Sequence, residues 1–126
     1  MIFYLAAKYD KRTELLPIAA LLMLNGHAVR CEWLNGGHEG TLGDAAQWAQ
    51  ADLNDIDACS HFVLFNLPTH NPEASSGRHI EFGYALRQGK DCLVVGSGDS
   101  IFFTTATRYK TIGEFLDTYA PNGRLL

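Results

Sequence analysis

Two carboxylates in this sequence are placed where they could do chemistry. Glu81 lies in GRHIEFGYALRQ (77–88), directly after the run Ser75-Ser76-Gly77. That run suits a helix start: Ser75 or Ser76 is a natural N-cap, and Gly77 allows close backbone approach. Glu81 is then expected in the first helical turn, where the helix dipole should keep it ionised near neutral pH. An ionised carboxylate at a ligand edge can act as a nucleophile or stabilise a cationic transition state. On position alone, decoration of a helix start is the plainer reading. Asp52 lies in a second helical segment whose apolar stripe is Ala45, Trp48, Ala49, Leu53 and Ile56. It sits one turn from both Trp48 and Ile56, at the border of that stripe. A carboxylate there needs partners or a purpose, and function and a satisfied core-edge carboxylate stand level. Asp55 and Asp57 are expected to face solvent.

Other polar groups are less specific. Tyr4 lies in an apolar run; its hydroxyl reaches a pocket or merely accompanies a core ring, and core is the default. Lys8, Arg12 and Arg78 can form a small basic rim, although isolated cations are weak evidence. His38, His70 and His79 lie in or beside polar segments without HxxxH or HExxH spacing, so no metal is expected.

The elements that must position these groups alternate along the chain. Residues 2–7 (IFYLAA), 28–34 (AVRCEWL), 61–66 (HFVLFN) and 91–96 (DCLVVG) read as strands, and 101–105 (IFFTT) as a fifth short strand or a turn. Helices are expected at 14–25, from the Thr41 cap to about Ala58, at 78–88 and at 111–120. The first can hold Pro17 only if Pro17 falls in the opening turn, and Gly26 is its stop signal. Thr41 with Asp44 resembles a capping box before the second. This alternation predicts an α/β fold: a single domain over 1–126, flavodoxin-like or Rossmann-like, with a parallel sheet of four to five strands and helices on both faces. Segments 8–13, 35–43, 67–77 and 97–100 then lie beyond the carboxyl ends of the strands, where such sheets bind ligands. Two of these are long, as functional loops are.

Composition narrows the partners. The chain has 126 residues, 47% hydrophobic and 19% charged, with a formal net charge of -4. An acidic chain without a basic face is not expected to bind nucleic acid polymers. No apolar run approaches the ~18 residues of a membrane span, and the opening MIFYLAA has no basic region before it, so it reads as a strand rather than a signal peptide. Cys31, Cys59 and Cys92 are expected to be buried reduced thiols of a cytoplasmic protein. No cofactor is expected, and no GxGxxG follows the first strand.

Taken together, three segments resemble the nucleoside 2-deoxyribosyltransferase family, which includes 2′-deoxynucleoside 5′-monophosphate N-hydrolases. GRHIEFGYALRQGKDCLVVG (77–96) resembles its Gly-x-x-x-Glu-x-Gly-Tyr-Ala stretch followed by Gly-Lys and an apolar strand. ADLNDIDACSHFVLF (51–65) resembles its Asp-Leu-x-x-Ile helix and buried strand, and IFYLAAKY (2–9) its opening strand and loop. The three are in register over nearly the whole chain. The resemblance implies that Glu81 attacks the anomeric carbon of the deoxyribose and carries the glycosyl group. It further implies that Tyr4 orients Glu81 and that Asp52 contacts and protonates the base or helps position it. It also implies a small-molecule deoxynucleoside or deoxynucleotide as partner, and it fits the homodimer or larger homo-oligomer expected from the apolar end of PNGRLL (121–126) and the wide apolar helix faces.

One departure bears on the substrate. Six residues before the glutamate, transferases acting on free nucleosides often carry an Asp for the sugar 5′-hydroxyl. Here Ser75 stands in that place, in a Ser-x-Gly spacing shared with the monophosphate hydrolases. Ser75, Ser76 and the amides after Gly77 suit a phosphate, with Lys8, Arg12 and Arg78 able to supply charge. Transfer to a base and transfer to water share the glycosyl-enzyme step, so the sequence leaves them open. The alternatives are a non-catalytic nucleotide-binding or sensor domain and an NAD-cleaving glycohydrolase of similar fold.

Overall fold

A computed structural model of the chain describes residues 1–36, 44–68 and 77–123. Its elements run β1 (Ile2–Ala6), α1 (Arg12–Leu24), β2 (Ala28–Val29), α2 (Ala45–Ala58), β3 (His61–Asn66), α3 (Gly77–Arg87), β4 (Asp91–Gly96), β5 (Thr107–Tyr109) and α4 (Ile112–Tyr119). Short 3-10 turns cover Tyr9–Lys11, Glu32–Asn35 and Ile101–Thr105. The strands form one sheet in the order β2-β1-β3-β4-β5, every pairing parallel. This is the flavodoxin-like order. Right-handed crossovers place α2 and α3 on one face and α1 and α4 on the other.

The central strands are apolar on both sides because both faces are covered. Phe62, Val63, Leu64 and Phe65 of β3 and Cys92, Leu93, Val94 and Val95 of β4 are all buried. On β1, Phe3 and Tyr4 are both fully buried and point to opposite faces. Phe3 meets Phe115 and Tyr119 of α4 edge-on, with ring centroids at 6.1 and 5.3 Å. The ring of Tyr4 stacks on Phe62 at 5.5 Å. At the carboxyl end of β4 the chain must turn sharply. Gly96 has a φ of 110°, and a Cβ there would lie 2.2 Å from the Asn66 carbonyl oxygen, so only glycine fits. No described helix is long and apolar enough to cross a membrane.

The structure corrects several expectations. The strand read over 28–34 stops at Val29. After Arg30 N–H donates to Phe3 O at 2.9 Å, the ladder ends. The next β1 carbonyl, Leu5 O, accepts instead from the Cys31 thiol at 3.2 Å and the Trp33 indole N–H at 2.9 Å. The Glu32 N–H donates to Asp55 Oδ2 at 2.8 Å. Side chains thus satisfy the groups a longer β2 would have paired. Asp55 is accordingly buried, at 7% exposure, rather than solvent-facing, while Asp57 is exposed and accepts from Tyr84 and Gln88.

Pro17 is the sixth residue of α1, outside the first turn. Its missing N–H leaves the Thr13 carbonyl without a helical partner, but Thr13 and Pro17 both face solvent, where water can serve. Gly26 ends the helix with a φ of 87°, as expected. Asp44 is the N-cap of α2 rather than its third residue; Thr41 lies outside the described residues. Segment 101–105 takes the turn alternative: Ser100 Oγ accepts from Phe102 N–H at 3.2 Å. The fifth strand is the following Thr107–Tyr109. The three cysteines are buried and unpaired.

Candidate active site

In this strand order the chain leaves β1 toward β2 and leaves β3 toward β4, in opposite directions. A crevice opens between the carboxyl ends of β1 and β3. Three elements send functional groups into it. Tyr4 comes from β1, Asp52 from the middle of α2 and Glu81 from the second turn of α3. They line a cavity of about 150 Å³ together with Ala7, Tyr9, Trp33, Gly77 and Arg78.

The Tyr4 hydroxyl donates to Glu81 Oε2 at 3.0 Å. With the Tyr4 ring fixed on Phe62, this bond sets the orientation of the Glu81 carboxyl. Asp52 is a hydrogen-bond partner of Glu81 on the same cavity wall. Burial, then the neighbouring Asp52 charge, pushes the Glu81 carboxyl up to about 8; its hydrogen bond with Asp52 adds to the rise, and the Tyr4 hydroxyl opposes it. One proton therefore stays between the two carboxyls near neutral pH, and their titration belongs to the pair. This corrects the expected first-turn, freely ionised Glu81. The helix starts at Gly77, no acidic residue lies in its first turn, and desolvation outweighs the dipole. Burial and the Glu81 charge push the Tyr4 phenol far above its ordinary value, so it remains a donor.

The aromatic walls of the cavity are Tyr9 and Trp33, whose rings stand 6.1 Å apart at an interplanar angle of 46°. Trp33 is held by its N–H on the Leu5 carbonyl. Aromatic faces beside paired carboxyls can hold a flat ring and exchange a proton with it.

The sequence-predicted site residues divide. Tyr4, Asp52, Glu81, Gly77 and Arg78 meet at one cavity. Lys8 is buried, at 8% exposure, and does not line it. Nor does Arg12: its guanidinium packs over Gly36, its Nε buried without a hydrogen-bond partner. Of the three cations expected as a basic rim, Arg78 is the one that lines the cavity among the described residues, with the Asp10 carboxylate nearby. Ser75, Ser76, His38 and His70 lie outside the described residues. Tyr9 and Trp33 were missed, although an aromatic within the polar turn KYDKRT and a Trp just before a four-glycine segment were available signals. A larger groove of about 430 Å³ lies between α1 and the 32–35 turn, but its carboxylate Asp55 is occupied by Glu32 N–H and, at 3.8 Å, by Arg30. Among the described residues no group of three His, Cys, Asp or Glu side chains could hold a metal ion.

No protein-family model matches the sequence, and no curated protein matches it. Solved structures do match in fold. A CMP N-glycosidase of Clostridium botulinum superposes with a TM-score of 0.64 at 22% identity, covering 94% of this chain and 97% of that one. A 2-deoxyribosyltransferase of Bacillus psychrosaccharolyticus superposes with a TM-score of 0.70 at 16% identity, covering 91% of this chain and 90% of that one.

Proposed function

We propose that this protein breaks the N-glycosidic bond of a 2′-deoxynucleoside or its 5′-monophosphate and passes the sugar to water or to a second base. The activity is that of a nucleoside 2-deoxyribosyltransferase-like enzyme. The observation that carries the reading is the buried Glu81–Asp52 pair, with Tyr4 donating to Glu81, inside an aromatic-walled cavity at the β1–β3 crevice. The sequence resemblance and the two fold neighbours support it.

In the proposed reaction the base lies against Trp33 and Tyr9. With substrate bound, the proton of the pair passes from Glu81 to Asp52 and leaves Glu81 anionic. The Glu81 carboxylate attacks C1′ as the C1′–N bond breaks. The bond electrons go to the base nitrogen, which takes the proton from Asp52. Water or another base then attacks C1′, gives its proton to Asp52 and releases Glu81 as carboxylate. The Tyr4 hydroxyl keeps Glu81 aimed through both steps.

Each deoxynucleoside and deoxynucleotide, incubated with and without adenine or cytosine, should yield free or exchanged base by chromatography, and Glu81→Gln should yield none. Release by Glu81→Gln at the wild-type rate, or none from any substrate by wild type, would overturn the reading.

A 5′-monophosphate is favoured over a nucleoside. Gly77 and Arg78 line the cavity at the amino end of α3, where the helix dipole favours an anion. Glu81→Gln should bind deoxycytidine monophosphate at least ~10-fold more tightly than deoxycytidine. Equal affinities would return the substrate to the nucleoside. A homo-oligomer is also proposed, on the exposure of Ile80, Ile101 and Phe102 at 68, 79 and 59%; the end of PNGRLL (121–126) lies outside the described residues. Light scattering at micromolar concentration should show at least a dimer.

A further inference from the structure

Asp52 and Asp55 lie three residues apart on α2 and are directed to different tasks. Asp52 faces the cavity and Glu81. Asp55, almost fully buried, accepts from the Glu32 backbone N–H at 2.8 Å, with the Arg30 guanidinium 3.8 Å from its other oxygen. Those two contacts flank Cys31, in the link between the end of β2 at Val29 and the turn Glu32–Asn35. Trp33, in that turn, is carried onto the cavity wall and pinned to the Leu5 carbonyl. Cut free of Asp55, the Glu32 N–H would be an unpaired donor, and the turn would lose its described hydrogen bond to α2.

We infer that Asp55 is a positioning residue for substrate, acting through Trp33. It clamps the 32–35 turn to the same helix that carries Asp52, so the aromatic wall and the proton-bearing carboxyl keep one spacing. The inference rests on the proposed function for its kinetic consequence, but not for its structural one. Asp55 touches neither the cavity nor Glu81, so its loss should weaken binding of the base without disabling the bond-breaking groups. That separates it from Asp52, whose loss should act on the chemical step.

The test uses Asp55→Ala and Asp55→Asn, with Trp33 emission read in a Trp48→Phe background, where Trp33 is the sole indole. Asp55→Ala should raise KM at least ~10-fold and leave kcat within about twofold. Trp33 emission should shift to the red as the indole leaves its buried site, and its quenching by free adenine or cytosine should weaken in parallel. Asp55→Asn keeps a carbonyl acceptor for Glu32 N–H and should show the same changes in smaller measure, about threefold in KM. Unchanged KM and unchanged emission in Asp55→Asn and Asp55→Ala would overturn the inference. So would a fall in kcat with KM unmoved. If Asp55→Ala does not fold, Asp55→Asn decides alone, by whether KM and emission move together. Should the wild-type protein cleave no substrate while the emission and quenching changes still appear, the proposed reaction fails and the positioning role stands.

Discussion

Phe3 and Tyr4 are neighbours on β1, equally buried, and differ by one hydroxyl group. On the α4 face, Phe3 joins His27, Phe115 and Tyr119 in edge-to-face contacts between 5.2 and 6.1 Å. Those contacts, a tilted one to His61 at 5.3 Å and the removal of ring surface from water are what the described structure shows for the Phe3 ring. On the α2–α3 face, the same burial is used to hold a donor 3.0 Å from a carboxyl that itself has lost water. The first face is built for stability. The second places two acidic groups together away from water, an arrangement that lowers stability and that, under the proposed function, moves a proton and attacks a substrate.

The largest expected effect separates the faces. Phe3→Ala should cost about 3–5 kcal/mol in denaturant unfolding and leave kcat of the folded protein within about twofold. A selective loss of kcat would show that the faces are not independent. Next, Asp52→Asn should lower turnover by roughly 10²–10³, as loss of a general acid does, with the size depending on the base and with little change in melting temperature. A lower melting temperature with full activity would make Asp52 a structural carboxylate. Tyr4→Phe is smaller, about tenfold in turnover, equivalent to roughly 1.4 kcal/mol.

Asp52→Asn and Tyr4→Phe should also move the pH profile in opposite directions. The Asp52 charge raises the Glu81 carboxyl, so its removal moves the acid limb down. The Tyr4 hydrogen bond favours the ionised form, so its removal moves the limb up. Shifts of the same sign would contradict the assigned causes. The smallest effect is on stability against pH. Folded Glu81 holds its proton to about 8, against an ordinary value of 4.5. Its stabilising contribution is complete below 4.5 and is lost as pH rises to about 8. Thermal melts of Glu81→Gln across that window should show most of the decline removed.

The two faces also differ in how far the sequence reveals them. Period and apolar runs place β1, β3, β4, α1, α3 and α4 within a residue or two, because burial leaves little choice there. They also bring Tyr4, Asp52 and Glu81 to notice. What they hide depends on side chains replacing backbone pairing. AVRCEWL alternates like a strand, yet the thiol of Cys31, the indole of Trp33 and the carboxyl of Asp55 take the ladder's bonds after Val29. The stripe on α2 was misplaced for the same reason. Asp55 is buried and Ala49 is exposed, which no reading by hydrophobicity alone would choose. The state of Glu81 was misjudged because its desolvation depends on Asp52 and Tyr4, residues 29 and 77 positions away in the chain.

The most direct test of the central claim is the mass of the protein caught during turnover. Wild-type protein mixed with a deoxynucleoside or its 5′-monophosphate and quenched in acid should gain the mass of the deoxyribosyl group, or of its phosphate, on the peptide that contains Glu81. Glu81→Gln should gain nothing and release no base. Base release without any adduct on that peptide, continuing undiminished in Glu81→Gln, would contradict the account.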